Sequence, residues 1–192
     1  MRTSLSFRPS APLRSTFFSS LATPIGRLLF VSRGAGHLCG VYMEDHVGAP
    51  PHDAAWVQDE ARFADARRQM TEYFAGSRTS FDLPLSVEGT PFQRRVWSAL
   101  LEIPFGETIT YAELARRVGA PNGSRAVGGA NARNPLSIVV PCHRVIGSDG
   151  SLTGYAGGEE RKRWLLDRER SQLAQRPTRR VNTRRMRPGS SS

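Results

Sequence analysis

Two helix starts of one chemical kind organise the second half of this chain. Thr90-Pro91-Phe92-Gln93 supplies an N-cap, a proline at the first helical position and a capping-box glutamine, and Thr110-Tyr111-Ala112-Glu113 repeats the box. Behind the first, Phe92, Val96, Trp97, Leu100 and Leu101 recur at helical spacing until Pro104-Phe105-Gly106 stops the run. The second starts a short helix through Val118, and Gly119-Ala120-Pro121-Asn122-Gly123 reads as a turn. Ser124 is placed to cap a third helix over residues 125–133, which Asn134-Pro135 ends. Two short helices joined by a glycine-containing turn predict a helix-turn-helix with a longer connection than usual.

The third helix carries almost no bulk. Its paired glycines, Gly128 and Gly129, each cost roughly 1 kcal/mol against alanine. One reading is close packing of its backbone on another helix. The other is a smooth face of Ala126, Gly128, Gly129, Ala130 and Ala132 laid along a nucleic-acid groove, with Arg125 reaching in from the N-terminal end.

The first half reads as a small α/β unit. Residues 27–32 and 37–43 are short apolar runs around Gly34-Ala35-Gly36, the pattern of a hairpin. Phe63, Ala66, Met70, Tyr73 and Phe74 recur at helical spacing, so 58–75 is an amphipathic helix ending at Gly76. Residues 81–87 form a strand or an extended connector. Cys39 reads as a small core residue. His37, His46 and His52 lack partners at zinc spacing, so no metal site is expected.

Composition narrows the classes. No run of 18 apolar residues exists, which excludes a membrane-spanning helix. Two cysteines make no disulfide framework and suit a reducing compartment. The net charge of +10 suits a polyanionic partner. Among the 27 basic residues only Lys162 is a lysine. Residues 176–192 hold six arginines and no acid, and are expected to form a disordered basic tail. Residues 1–20, rich in Ser and Arg, read as a loose extension or a transit peptide, so a cytoplasmic location is expected with organelle or nuclear targeting as the alternative.

Leu136, Ile138, Val139 and Val140 predict a strand buried on both faces, closed by Pro141. Cys142 would then sit where the strand opens into a glycine-dense polar segment. A thiol is a nucleophile only as thiolate, and His143 or Arg144 could lower its pKa. Adjacent residues on an extended chain point to opposite sides, however, so this pattern leaves an inert thiol and a nucleophile equally open.

Pro141-Cys142-His143-Arg144-Val145-Ile146-Gly147, the later Thr153-Gly154-Tyr155-Ala156-Gly157-Gly158, and the helix bearing Trp164 to Glu169 resemble the active-site region of the O6-alkylguanine-DNA alkyltransferases. Residues 90–135 resemble that family's helix-turn-helix, so the likeness covers residues 90–169 and, more loosely, 20–85. It implies a fold of a ribonuclease H-like α/β domain over 21–88 and a mostly helical domain with a helix-turn-helix over 89–171; the extension at 1–20 and the tail at 172–192 have no counterpart in the resemblance. It implies DNA repair by irreversible, single-turnover transfer of an alkyl group from O6-alkylguanine to the protein's own cysteine, without a cofactor, with O4-alkylthymine as a second candidate substrate.

On that resemblance Cys142 is the acceptor, His143 takes its proton through a water, Glu169 orients the imidazole, and Tyr111 donates to guanine N3. Arg125 fills the gap left by a flipped base while Ala126, Gly128, Gly129 and Ala132 lie along the minor groove. Asn134 ties the helix to the cysteine segment, backbone at Val145 and Cys142 meets the exocyclic amine, and Tyr155 and Ala156 shape the alkyl pocket. Ala156 replaces a serine found in some members, which removes one hydrogen bond to O6. The expected partner is double-stranded DNA, with no membrane; the expected state is a monomer, with cooperative assembly on DNA left open. A fold relative that recognises the lesion without repairing it lacks the motif cysteine, and a cysteine hydrolase would not need the helix-turn-helix.

Overall fold

A computed structural model describes residues 5–6, 15–34, 36–46, 48–51 and 53–175. His52, the tail beyond Gln175 and most of the expected N-terminal extension lie outside the described residues.

The N-terminal half is built on an antiparallel meander: β2 (Thr16–Thr23), β3 (Gly26–Arg33) and β4 (Leu38–Met43). The expected hairpin is its second half. β2 begins ahead of the boundary expected at residue 21, because Thr16 to Thr23 pair along the whole of β3. Short strands β1 (Leu5–Ser6), β5 (Val57–Gln58) and β6 (Leu85–Ser86) join in parallel, giving the order β1-β6-β4-β3-β2-β5.

Leu28 and Phe30 of β3 are fully buried in one core with Phe63 and with Met70 and Tyr73 of α1 (Ala64–Ala75). The helix predicted over 58–75 is shorter, and one turn of 3-10 helix at Ala61–Phe63 leads into it. Its end is set by Gly76, whose φ of 86° is the left-handed conformation that glycine adopts freely. The Gln69 side chain then exchanges two hydrogen bonds with the backbone of Asp82, fixing the connector to β6.

The second half is helical. In α2 (Pro91–Leu100) the capping box is complete: Thr90 Oγ1 accepts from the Gln93 amide and Gln93 Oε1 accepts from the Thr90 amide. In α3 (Tyr111–Arg117) only half the box forms, since Thr110 caps the Glu113 amide while the Glu113 carboxylate pairs with Arg116 and Arg117. α4 (Ser124–Ala132) starts one residue earlier than predicted, with Gly123 at the N-cap and no side-chain cap from Ser124. α5 (Glu159–Gln175) takes in residues 172–175, which the sequence reading assigns to the tail. No helix among the described residues is long and apolar enough to cross a membrane.

The two halves are bolted together through backbone carbonyls. Arg161 donates to Ile25 O and Glu44 O, and Arg168 and Gln172 donate to Phe74 O and Gly76 O. The Val41 amide donates to Pro135 O at 2.8 Å and Val41 O accepts from the Ser137 amide at 3.0 Å, so the sheet holds the segment that leads to Cys142.

Candidate active site

That segment is not the predicted strand. Residues 136–140 form a tight turn with isolated bridges from Leu136 to Val41 and from Ser137 to Val140, and Ile138 lies at a φ of +70°. The cause is Asn134. Its Oδ1 accepts the Leu136 amide at 3.0 Å while its Nδ2 donates to Val140 O at 2.8 Å, so one buried side chain folds the apolar run back on itself. The run is apolar because the turn is buried, not because it is extended.

Cys142 follows on one turn of 3-10 helix, Cys142–Arg144, so Cys142 and His143 are neighbours on a helical turn and not on an extended chain. The thiol is buried, and Asn134 Nδ2 lies 3.0 Å from Sγ. Burial pushes the thiol pKa up, while the Asn134 hydrogen bond and the charge of Lys162 pull the other way.

His143 and Glu169 are both fully buried, with His143 Nε2 2.9 Å from Glu169 Oε1. Burial alone would raise the Glu169 pKa, but His143 and Arg144 hold the carboxyl well below its usual range. An ionised carboxylate only accepts, so Nε2 carries the proton and Nδ1 presents a lone pair. Nδ1 is buried without a partner among the described residues. Burial also lowers the imidazole pKa, against the opposing pull of Glu169, so the ring rests neutral. A neutral imidazole with one nitrogen committed and the other open is a base waiting for a proton.

Glu169 carries more than His143. Tyr73 of α1 donates to Oε1 at 2.7 Å, Arg144 forks onto both oxygens at 2.9 and 3.0 Å, and the Gly106 amide donates to Oε2 at 2.9 Å. Arg144 is itself held by Ile103 O at 2.7 Å. In the sequence Arg144 reads only as a partner for the thiol and Tyr73 only as an apolar contact. Neither link was visible, because the pairs are 25 and 96 residues apart.

β7 (Ile109–Thr110) pairs in parallel with β8 (Val145–Ile146), which sets Tyr111, the first residue of α3, beside the cysteine segment. The Tyr111 hydroxyl donates to Thr153 O at 3.3 Å, and burial, then the Cys142 charge, raise its pKa and keep it a donor. Val145 is fully buried; Tyr155 is buried with its hydroxyl 3.9 Å from Met43 Sδ; Ala156 is half-buried. A Cβ at Gly157 would meet Met43 Sδ at 2.5 Å, so the backbone there runs against the sheet.

On α4 the small residues divide between an inward and an outward face. Val127, Ala130 and Asn131 face inward, and Trp97 of α2 donates to Ala130 O at 3.0 Å. Arg125 and Ala126 are exposed, with Gly128, Gly129 and Ala132 half-buried beside them. Asn131, which sequence reasoning missed, reaches from this helix to Cys142 O at 3.3 Å. Among the described residues no three His, Cys, Asp or Glu side chains gather where they could hold a metal.

The ribonuclease-like domain of 6-O-methylguanine DNA methyltransferase matches residues 16–87, and the DNA binding domain of the same family matches residues 91–171. The chain is 46% identical to the methylated-DNA–protein-cysteine methyltransferase of Methanosarcina barkeri, over 82% of this chain and 99% of that protein. It is 48% identical to that of Mycobacterium leprae, over 80% and 92%. A Mycobacterium tuberculosis relative solved in complex with DNA superposes with a TM-score of 0.75 at 46% identity, over 81% of this chain and 94% of that one.

Proposed function

The chain belongs to the 6-O-methylguanine DNA methyltransferase family, and we propose that Cys142 is the cysteine onto which it transfers the alkyl group of O6-alkylguanine in DNA. The observation that supports this reading is the His143 imidazole, clamped through Nε2 by ionised Glu169 with Nδ1 open, next in the chain to a buried thiol that Asn134 already solvates.

The roles follow from the chemistry. His143 Nδ1 takes the thiol proton, through a water, and Glu169 stabilises the imidazolium that results. The Cys142 thiolate attacks the alkyl carbon; the sulfur–carbon bond forms as the carbon–O6 bond breaks, and the electron pair leaves on guanine. Tyr111 donates to ring N3 and eases that departure. Cys142 and Val145 carbonyls accept from the exocyclic amine and favour guanine. The thioether has no route back to a thiol, so each chain acts once.

O6 lies inside the stack, so the base must be turned out of the duplex. Arg125, exposed at the start of α4, occupies the vacated space, and the small outer face of Ala126, Gly128, Gly129 and Ala132 lets the backbone approach the minor groove. Residues 89–171 make up the DNA-binding and active-site domain, and Tyr155 and Ala156 line the alkyl pocket. The protein works as a monomer in a reducing, cytoplasmic setting, with its basic tail adding sequence-independent attraction to phosphate. Incubation with duplex DNA carrying a labelled O6-methyl group tests the reading. Label should move into protein and stop at one methyl per chain; release of label to solvent with turnover would contradict it.

A further inference from the structure

Lys162 is a buried cation with no carboxylate paired to it among the described residues. It is fully buried on the first turns of α5, and among the described residues its Nζ has no hydrogen-bond partner and no ion pair. The ammonium lies 5.7 Å from the centroid of the Tyr111 ring and 5.8 Å from that of Tyr155, two tyrosines that also sense the charge of Cys142. The contrast with Arg144 is direct, because that buried cation has a bidentate carboxylate. A desolvated, unpaired ammonium costs stability, and a site that keeps one has a reason other than folding.

The residue type points the same way. Every other basic residue of the chain is arginine, and only here does lysine stand. A guanidinium is broad, needs several acceptors and stays charged, whereas an ammonium is a compact point charge that can sit against aromatic faces and can lose its proton. The groups facing it are Cys142, Tyr111 and Tyr155, with Glu159 one turn back on its own helix and His143 within electrostatic reach. Of these, the strongest anionic influence on it is Cys142.

We propose that Lys162 is a positioning charge for the transfer, its ammonium held between the Tyr111 and Tyr155 rings as the counter-cation of the Cys142 thiolate. The inference rests on Cys142 being the acceptor. It divides the work at sulfur: His143 removes the proton, Asn134 solvates the anion, and Lys162 supplies the opposite charge. The cation also draws electron density from the Tyr111 ring, which makes its hydroxyl a better donor.

Because the chain has one lysine, selective isotope labelling of lysine gives a single NMR signal for this site. Burial sets its titration low, near 8, and replacing the thiol by Cys142→Ser should move that midpoint downward, since the anion that favours the ammonium is gone. In the other direction, Lys162→Met in a Cys39→Ser background, where Cys142 is the single thiol, should raise the thiol pKa read from thiolate ultraviolet absorbance. A rise of about one unit means about tenfold less thiolate at neutral pH. Its melting temperature should equal or exceed the parent's, whereas a packing role alone would lower it and leave the thiol titration in place. Lys162→Gln serves if the methionine variant does not fold. A Lys162 midpoint indifferent to Cys142, or an unmoved thiol pKa, overturns the proposal. Both readouts are taken without DNA, so they stand apart from whether methyl reaches Cys142.

Discussion

Asn134 and Cys142 meet at the sulfur: Nδ2 of the amide sits 3.0 Å from Sγ while the same side chain closes the turn that carries the cysteine. One side chain therefore holds both the turn and the thiol. Asn134→Ala should cost about 1–3 kcal/mol in chemical denaturation, from buried backbone groups left unpaired. It should also shift the pH midpoint of alkyl transfer upward, because the thiolate loses a donor. Loss of stability with an unmoved midpoint would limit Asn134 to the turn.

Glu169 separates a structural from a chemical role in the same way. Glu169→Gln leaves Arg144 buried without its anion, and breaking such a pair costs about 3–5 kcal/mol. It also frees His143 to rotate or switch tautomer, so transfer should slow by about two orders of magnitude, the scale of a lost general base. Tyr73→Phe removes one donor at 2.7 Å and leaves His143 and Arg144 in place. It should lower stability by about 1.5–3 kcal/mol, the range for hydrogen bonds to charged groups, while the rate changes far less than in Glu169→Gln. Equal rate losses in single-turnover assays would contradict this division.

Stability should fall as solutions are acidified, in two stages. His143 is buried neutral with its pKa below the ordinary 6.5, so under pH 6.5 the unfolded chain takes up a proton that the fold resists. Glu169 is held well below 4.5, so from there downward the unfolded chain again gains the proton first. Both contributions are present at neutral pH and lost on the acid side. Urea midpoints measured from neutral pH downward should decline through both windows, and His143→Gln should flatten the upper one. A profile level to below pH 4.5 would contradict the assignment.

Arg125 is exposed at the start of α4. Arg125→Ala should slow repair of a duplex lesion by about tenfold or more, with little effect on reaction with free O6-benzylguanine, which needs no extrusion. Equal losses on both substrates would remove it from base extrusion.

The sequence made some parts of this arrangement plain and hid others for physical reasons. Helix starts were legible because capping is local: Thr90 and Gln93 satisfy each other across one turn. The 136–140 segment was misread because burial on all sides makes a turn as apolar as a strand, and only the Asn134 side chain decides between them. Placement of His143 on Glu169 came from the family resemblance. The Tyr73 and Arg144 contacts to that carboxylate close over sequence separations that no local pattern records. Lys162 did leave a trace, as the one lysine among arginines, but its meaning needed the two tyrosine rings.

The central claim is that Cys142 accepts the alkyl group, and the mass of the reacted protein tests it most directly. After incubation with a duplex containing O6-methylguanine, the intact chain should gain one methylene, about 14 Da from the transfer chemistry. Peptide fragmentation should place it on Cys142, and Cys142→Ser should gain nothing. A methyl found on Cys39, or loss of the lesion with no gain in protein mass, would contradict the account.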